Sequence, residues 1–323
     1  MTHLTQITYY DFDLDLPANQ RWGPIVDVYQ NYLPKLKQQL KTILDSFGSA
    51  TSIVKPIYNL TPENNILHYD EICYLAGRIG LDNFEALLLQ LIYEISSACT
   101  SAIIKINGKD FFLRTMDWPM LFLKDITIGL NIKKGSKLIG KVTTWLGYVG
   151  FLTATNTINN YTISINYRRN VDMSLASLAK NLYRTISMKW PVGYLVRHVI
   201  ENSFHSDQAL QTLENTETIT PCYITIYNPI GQSCIITRDC DKNVNTRTDQ
   251  LIQTNCDYDK TQPNILWSLE RVTHVKVVEV KLNQTDCKLA SQQILRELLQ
   301  HPVMNEETIY VHYQYGDEFG TLI

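Results

Sequence analysis

The chain has 323 residues, 45% hydrophobic and 19% charged, a composition typical of a globular protein with one large or two modest domains. The net charge is −3 and the 29 lysines and arginines are scattered, which argues against nucleic acid as a partner. No apolar run approaches the roughly 18 residues of a membrane-spanning helix. The first residues lack the basic start and apolar segment of a signal peptide, so we expect a cytoplasmic protein unless export follows a leaderless route.

The cysteines give no sign of a scaffold or a metal site. There are seven, an odd number, with no Cys-x-x-Cys pair and no histidines at zinc-site spacing. This pattern argues against a disulfide framework and against a structural zinc ion. We expect individual thiols and no cofactor.

The first 98 residues are predicted to be mostly helical. Apolar residues recur at three- and four-residue intervals over 25–47, with lysines between them, which predicts one amphipathic helix that Pro34 starts or kinks. Its apolar stripe favours packing against a core, although a basic amphipathic helix can also make peripheral contact with a membrane. Residues 67–79 and 82–97 are also predicted to be helical, with Asp82 as the cap of the second helix.

The pattern changes to short β-branched and aromatic runs at residue 99. Strands are predicted over 101–106, 109–116, 125–132, 138–144, 148–154 and 161–167. Helical periodicity returns over 174–218, and then strands are predicted at 222–228, 233–238 and 274–282, a helix at 288–300 and a strand at 307–313. Strands, helices and strands in blocks predict a layered α+β body rather than alternating βαβ units.

Cys99 lies where the helical segment meets the first of these strands. The following Asn107-Gly108 is a strong signal for a two-residue hairpin turn, since both positions need a positive φ. With that turn, Ser101 pairs with Arg114 and Cys99 pairs with Met116. Arg114 is then on the Cys99 face of the sheet, within reach of the thiol.

The same pairing places Asp117 beside the backbone nitrogen of residue 99. Asp117 is at an odd offset from Arg114, so we expect the strand to bend at Trp118-Pro119 to bring both side chains to Cys99. Taken singly, Cys99 is explained by a buried hydrophobe and the two charges by a surface ion pair. Their joint placement favours a cysteine nucleophile served by a guanidinium and a carboxylate.

Several ordered motifs resemble those of the acid ceramidase and N-acylethanolamine acid amidase family. They are YEISSACTS at 93–101, RTMD at 114–117, GYVG at 147–150, CIITRD at 234–239 and QTN at 253–255. The resemblance covers most of the chain, from 21–22 to 301–303 and the final strand. It implies an N-terminal-nucleophile hydrolase with a four-layer αββα body that cuts itself before Cys99. The products would be a helical α fragment, 1–98, and a catalytic β fragment, 99–323, which stay associated.

The resemblance also implies roles for the site residues. After cleavage, Cys99 would carry a thiol and an α-amine whose ordinary pKa, about 8, suits it as the base. Asn255 matches the family's oxyanion donor, Asp117 the group that orients the α-amine, and Arg114 the cation that favours thiolate. Arg271 is the only candidate for a pair of arginines that the family has downstream. The expected substrates are N-acyl lipids, either ceramides or N-acylethanolamines, cleaved through an acyl-enzyme thioester.

Departures from the family pattern keep other functions open. The family's Asn-Glu-Arg reads Asn166-Tyr167-Arg168, and its His-Gly-Arg-Asn reads FLRT at 112–115. Asn166 and Tyr167, together with Trp145 and Tyr148, are candidate substrate-pocket residues. One alternative is a choloylglycine-type hydrolase of bile-acid conjugates or N-acyl amino acids, which the long N-terminal segment disfavours. The other is a catalytically impaired lipid-binding relative. The family's usual acidic-organelle address has no support, since no leader is evident.

Overall fold

A computed structural model describes residues 4–46, 48, 55–56, 58–59, 61–91, 97–168, 183–184, 189–258, 267–285 and 289–323. The predicted helical positions 47, 92–96, 174–182, 185–188 and 288 lie outside the described residues. Among the described residues, no helix is long and apolar enough to cross a bilayer.

The α-helices and strands alternate in blocks along the chain. The helices are α1 (Ala18–Val28), α2 (Leu33–Ser46), α3 (Tyr69–Ile79), α4 (Asn83–Gln90), α5 (Val192–Glu201), α6 (Ser206–Asn215), α7 (Ser268–Asn283) and α8 (Ser291–Leu298). The strands are β1 (Tyr9–Asp13), β2 (Ala98–Ile106), β3 (Lys109–Asp117), β4 (Thr127–Lys134), β5 (Lys137–Trp145), β6 (Thr153–Asn156), β7 (Tyr161–Tyr167), β8 (Cys222–Tyr227), β9 (Cys234–Arg238), β10 (Asn243–Arg247), β11 (Ile252–Gln253), β12 (Thr308–Tyr315) and β13 (Glu318–Leu322).

Two stacked sheets form the centre of the molecule. The larger has the order β1-β4-β5-β6-β7-β8-β9-β10, and the smaller has the order β11-β2-β3-β12-β13. Alternate residues of β2 divide between two neighbours: Ser101 contacts Ser164 of the larger sheet at 2.9 Å, whereas Ala102 and Ile104 pack against α7 and α8. Helices α1 and α5 pack on the larger sheet, and α3 packs against α1, α2 and α4 in the same main core. The α+β four-layer prediction is confirmed.

The predicted helix over 25–47 is divided between the end of α1 and α2, so its start at 25 is wrong, whereas the alternative in which Pro34 starts the helix is confirmed by α2. Pro34 lies in the first turn of α2 and has no N–H to donate to the carbonyl of Gln30, which interrupts a continuous helix. The predicted cap of α4 is confirmed. Asp82 Oδ1 accepts from the Glu85 N–H at 2.8 Å, and the Glu85 carboxylate accepts from the Asp82 N–H.

The strand predicted at 274–282 is also wrong, because these residues belong to α7. Their valines favour a strand by composition. However, the buried positions Arg271, Val275, Val278 and Leu282 recur at intervals of four, three and four residues, which is helical spacing. Strands β1, β10, β11 and β13 were not predicted, and β1 joins the N-terminal segment to the larger sheet beside β4.

Candidate active site

The β2–β3 hairpin has the predicted turn and register. Asn107 and Gly108 have φ values of 49° and 79°, and Ser101 pairs with Arg114 as Cys99 pairs with Met116. This register carries the guanidinium to the cysteine: Arg114 Nη2 donates to Cys99 Sγ at 3.2 Å. The thiol–guanidinium contact therefore joins two residues that are only fifteen positions apart in the sequence.

Arg114 is held rigidly at the fully buried Cys99. Its guanidinium donates to the carbonyls of Thr115 at 3.0 Å and Ile165 at 2.8 Å, and it lies 5.1 Å from the centre of the Tyr310 ring. A guanidinium at this distance can interact with negative charge that develops on the sulfur during a reaction. The geometry supplies a group that can stabilise Cys99 as a nucleophile.

Asp117 points to the opposite side of the strand, so the predicted bend toward Cys99 is wrong. Strand β3 keeps its register through Asp117, which pairs with Ala98, and the irregularity lies instead in β12 between Thr308 and Tyr310. The carboxylate accepts from Thr308 Oγ1 at 2.6 Å and from Arg271 Nη1 at 3.3 Å. It therefore faces the layer that contains α7, not the face that carries the thiol.

Burial raises the pKa of Asp117 to about 6, although Arg271, Thr308 and Arg114 pull in the opposite direction. The carboxyl is fully enclosed and has a single close cation, which only partly offsets the loss of water. Asp117 consequently changes charge within the range of pH in which many enzymes work.

Asn255 spans the backbone on both sides of Ala98. Its Oδ1 accepts from the Cys99 N–H at 2.9 Å, and its Nδ2 donates to the Ser97 carbonyl at 3.1 Å and to the Tyr167 carbonyl at 2.8 Å. The Cys99 nitrogen is thus bound by Asn255. The Asn255 amide therefore binds the backbone around Ala98, next to the Ala98–Cys99 bond that the resemblance predicts to be cut.

Arg271 links these groups from the first turn of α7. Its guanidinium donates to Asp117, to Thr100 Oγ1 at 3.0 Å and to Asn255 Oδ1 at 3.2 Å. The structure therefore brings Cys99, Arg114, Asp117, Asn255 and Arg271 together at the start of β2. Sequence reasoning missed Thr308 and Ser268, which bind Asp117 and Arg271, because a single hydroxyl in the sequence gives no signal.

The four candidate pocket residues divide into two places. Asn166 accepts from Ser101 Oγ at 2.6 Å and donates to the Gln253 carbonyl at 3.1 Å, and the half-buried Tyr167 offers its carbonyl to Asn255. Both are polar supports beside Cys99. Trp145 and Tyr148 instead line an apolar cavity.

That cavity separates the N-terminal helices from the segment that follows β3. Its volume is about 50 Å³. Trp118, the residue after Asp117, lines it and lies 5.6 Å from Trp145 between ring centres. The lining includes Leu40 and Ile43 of α2, Leu75 and Ile79 of α3, and Leu89 of α4. An apolar cavity of about 150 Å³ holds a benzene ring, so this smaller space is too narrow for an acyl chain in the conformation observed.

The sequence of the chain matches three kinds of relative. A profile described as the beta subunit of N-acylethanolamine-hydrolyzing acid amidase matches residues 5–62. An uncharacterised protein of Acanthamoeba polyphaga mimivirus is 46% identical over 95% of this chain and 96% of its own. Acid ceramidase of Bos taurus is 25% identical over 96% of this chain and 83% of its own.

The fold matches a solved structure from the same group. The Caenorhabditis elegans ortholog of N-acylethanolamine-hydrolyzing acid amidase superposes with a TM-score of 0.56 at 20% identity, covering 67% of this chain and 92% of that chain. The layered fold, the ordered motifs and the sequence matches agree. The chain belongs to the acid ceramidase and N-acylethanolamine acid amidase family, and it has the four-layer αββα fold that the resemblance implies.

Proposed function

We propose that this protein is a self-processing cysteine amidase that hydrolyses N-acyl lipids to a fatty acid and an amine. The observation that carries the proposal is the setting of Cys99. Its sulfur lies 3.2 Å from Arg114, and Asn255 holds its backbone nitrogen and the Ser97 carbonyl at once. This arrangement restrains the peptide bond before the cysteine next to a nucleophile that a cation stabilises.

The first step of the proposal cuts the chain once. The Cys99 thiol attacks the Ala98 carbonyl, the bond from that carbonyl carbon to the Cys99 nitrogen breaks, and the nitrogen leaves as an amine. The resulting thioester takes up water, which returns the thiol and leaves a carboxylate on Ala98. Cys99 then has a free α-amine beside its own thiol, as nucleophilic catalysis at a chain terminus requires.

Cleavage also changes the hydrogen bonds that the Asn255 amide can donate. Both protons of Nδ2 serve acceptors in the uncut chain, one at the Ser97 carbonyl and one at the Tyr167 carbonyl. Departure of Ser97 releases one of these protons, while the bond to Tyr167 keeps the amide in place. The released N–H is then available to an oxyanion, a type of contact worth about 3 kcal/mol in the transition state.

Turnover follows with the residues already in place. The α-amine takes the thiol proton, the thiolate held by Arg114 attacks the amide carbonyl, and the leaving amine takes the proton back. Water then hydrolyses the acyl-enzyme thioester. Asp117 pairs with Ala98 and binds Arg271, so it lies at the strand position next to the new terminus and supplies negative charge there when ionised.

The apolar lining of the cavity favours a lipid substrate, whose acyl chain enters when the N-terminal helices move away from the segment that follows β3. Each methylene that leaves water contributes about 0.8 kcal/mol, so an acyl chain gains substantially from a wall of tryptophan and leucine side chains. The relatives with assigned names act on ceramide or on N-acylethanolamines by those names. We propose one of these two classes as the substrate.

Intact mass tests the processing step directly. After incubation between pH 4 and pH 8, we expect the purified chain to give fragments 1–98 and 99–323, and Cys99→Ala to stay whole. Cys73→Ala, which removes a half-buried thiol on α3, should behave as the wild type. A wild-type chain that stays whole at every pH and takes no acyl group on Cys99 would refute the proposal.

A substrate panel tests the chemistry. Ceramides, N-acylethanolamines, bile-acid conjugates and N-acyl amino acids are offered to the processed protein, and we expect hydrolysis of the first two groups. Faster hydrolysis of the last two would favour a choloylglycine-type activity. Binding to liposomes by wild type and Cys99→Ala alike, without hydrolysis, would favour a lipid-binding relative, which the tyrosine at position 167 makes worth testing.

A further inference from the structure

The end of β7 is bonded to the end of β11 and to the loop that follows it. Asn166 Nδ2 donates to the Gln253 carbonyl at 3.1 Å, and the Tyr167 carbonyl accepts from Asn255 Nδ2 at 2.8 Å. Strand β7 belongs to the larger sheet and β11 to the smaller, so these bonds join the two sheets. The consecutive residues Asn166 and Tyr167 are thus bonded to Gln253 and Asn255, which are alternate residues of the other segment.

Arg168 continues this pattern with a charged contact. Its Nε donates to Asp257 Oδ1 at 2.6 Å and its Nη2 donates to Asp257 Oδ2 at 2.8 Å, which is a bidentate fork. Its third nitrogen, Nη1, donates to Asp239 Oδ1 at 2.6 Å. Tyr223 adds a bond from its hydroxyl to Asp257 Oδ1 at 2.7 Å.

This contact is not an ordinary surface ion pair. The side chains of Arg168 and Asp257 are 12% and 3% exposed, whereas Asp239, the outer partner, is 44% exposed. Exposed pairs contribute little, but a buried bidentate pair of charged groups is both strong and geometrically specific. The inner part of the network therefore fixes the position of Asp257.

Asp257 is two residues beyond Asn255. Two residues of extended chain span only about 7 Å, so anchoring Asp257 limits how far the Asn255 amide can move. The Tyr167 carbonyl restrains the same amide directly, from the residue before Arg168. These two restraints come from adjacent positions at the end of β7, and they add to the bond that Arg271 donates to Asn255 Oδ1.

We infer that Arg168 is a positioning residue that holds the Asn255 amide in place through its fork to Asp257. The kinetic part of this inference rests on the proposed amidase function, in which Asn255 stabilises the oxyanion. Arg168 itself has no contact with Cys99 among those the structure shows. Its effect is expected in the rate of the chemical step rather than in substrate binding.

The kinetic test compares Arg168→Gln with Lys189→Gln, which removes a cation paired to Glu217 and Asp241. We expect Arg168→Gln to lower kcat by about 10- to 100-fold, as a small displacement of an oxyanion donor does, with little change in KM. Arg168→Lys should recover only part of the loss, because an ammonium cannot form the fork. Lys189→Gln should leave kcat unchanged.

A double variant separates positioning from a general loss of structure. If Arg168 acts through Asn255, then Arg168→Gln adds almost nothing to the loss already caused by Asn255→Ala. Losses that multiply would overturn the inference. So would equal kcat values in the wild type and Arg168→Gln.

Hydrogen exchange decides the inference even if no substrate is turned over. In the uncut Cys99→Ala chain, Arg168→Gln should raise amide exchange over 252–258, while exchange over β8 stays the same. Unchanged exchange over 252–258 would refute the positioning role. An inactive wild type with raised exchange in the variant would refute the proposed amidase and retain the positioning role.

Discussion

Two buried carboxylates of this protein are nearly equally enclosed, but their pKa values are shifted in opposite directions. Glu71 on α3 accepts both Nη groups of Arg197 at 2.6 and 2.9 Å, and also binds Arg21 at 2.8 Å and the Trp22 indole at 2.5 Å. Burial alone raises the pKa of Glu71, but the two guanidinium groups outweigh it and hold the value at about 2. Asp117 has one cation at 3.3 Å, and its pKa is raised to about 6.

The difference shows that the number and distance of donors, rather than burial, separate a structural carboxylate from one suited to chemistry. Glu71 stays charged at any ordinary pH and connects α3, within the predicted α fragment, to α5, within the predicted β fragment. The pKa of Asp117, about 6, lies close to neutral pH, as the pKa values of groups at functional sites commonly do. We therefore expect Glu71 to matter for stability and Asp117 for pH response.

The largest effect is expected from Glu71→Gln, which leaves Arg197 and Arg21 buried without their counter-charge. The free energy of unfolding at pH 7 should fall by about 3–5 kcal/mol, measured by urea unfolding in the uncut Cys99→Ala chain. The control is Asp125→Asn, which removes the partner of the exposed Lys35 and should cost less than about 1 kcal/mol. Equal losses in the two variants would contradict the comparison.

The two carboxylates should also give opposite pH dependences of stability. The lowered pKa of Glu71 means that its contribution is complete above about pH 4.5 and is lost as the pH falls toward 2. The raised pKa of Asp117 means that ionisation weakens the folded state as the pH rises from about 4 through 6.

Unfolding of Asp117→Asn measures this second slope. Between pH 4 and pH 7, the Cys99→Ala parent should lose about 2 kcal/mol relative to the Asp117→Asn variant in the same background. The difference between the parent and Glu71→Gln should stay constant between pH 5 and pH 7. A constant difference for Asp117→Asn as well would show that its carboxyl titrates normally.

The smallest effect is expected from Thr308→Val, which removes the 2.6 Å donor to Asp117. Loss of a hydrogen bond to the charged form costs about 1.5–3 kcal/mol, so the midpoint of the Asp117 pH dependence should rise by at least about one pH unit. Thr115→Val removes a weaker 3.4 Å contact and should move the midpoint less. The reverse order would show that distance does not rank these donors.

Much of the fold followed from local pattern. The turn at Asn107-Gly108 set the β2–β3 register, and the Asp82 cap set the start of α4, because both depend on backbone conformation within a few residues. Prediction failed in α7, where valine composition favoured a strand although the buried spacing is helical. It also failed for the bend expected at Trp118-Pro119, since β3 stays regular through Asp117 and the carboxylate follows the alternation of the strand to the face where Arg271 lies.

The sequence by itself determined that Cys99 begins a strand and that Arg114 reaches its thiol, because a hairpin fixes cross-strand neighbours by counting. Only the tertiary structure decided which groups hold the cysteine backbone and enclose the carboxylate. Asn255 lies 156 residues from Cys99 and Arg271 lies 154 residues from Asp117. Such contacts depend on how sheets and helices stack, which local spacing along the chain does not specify.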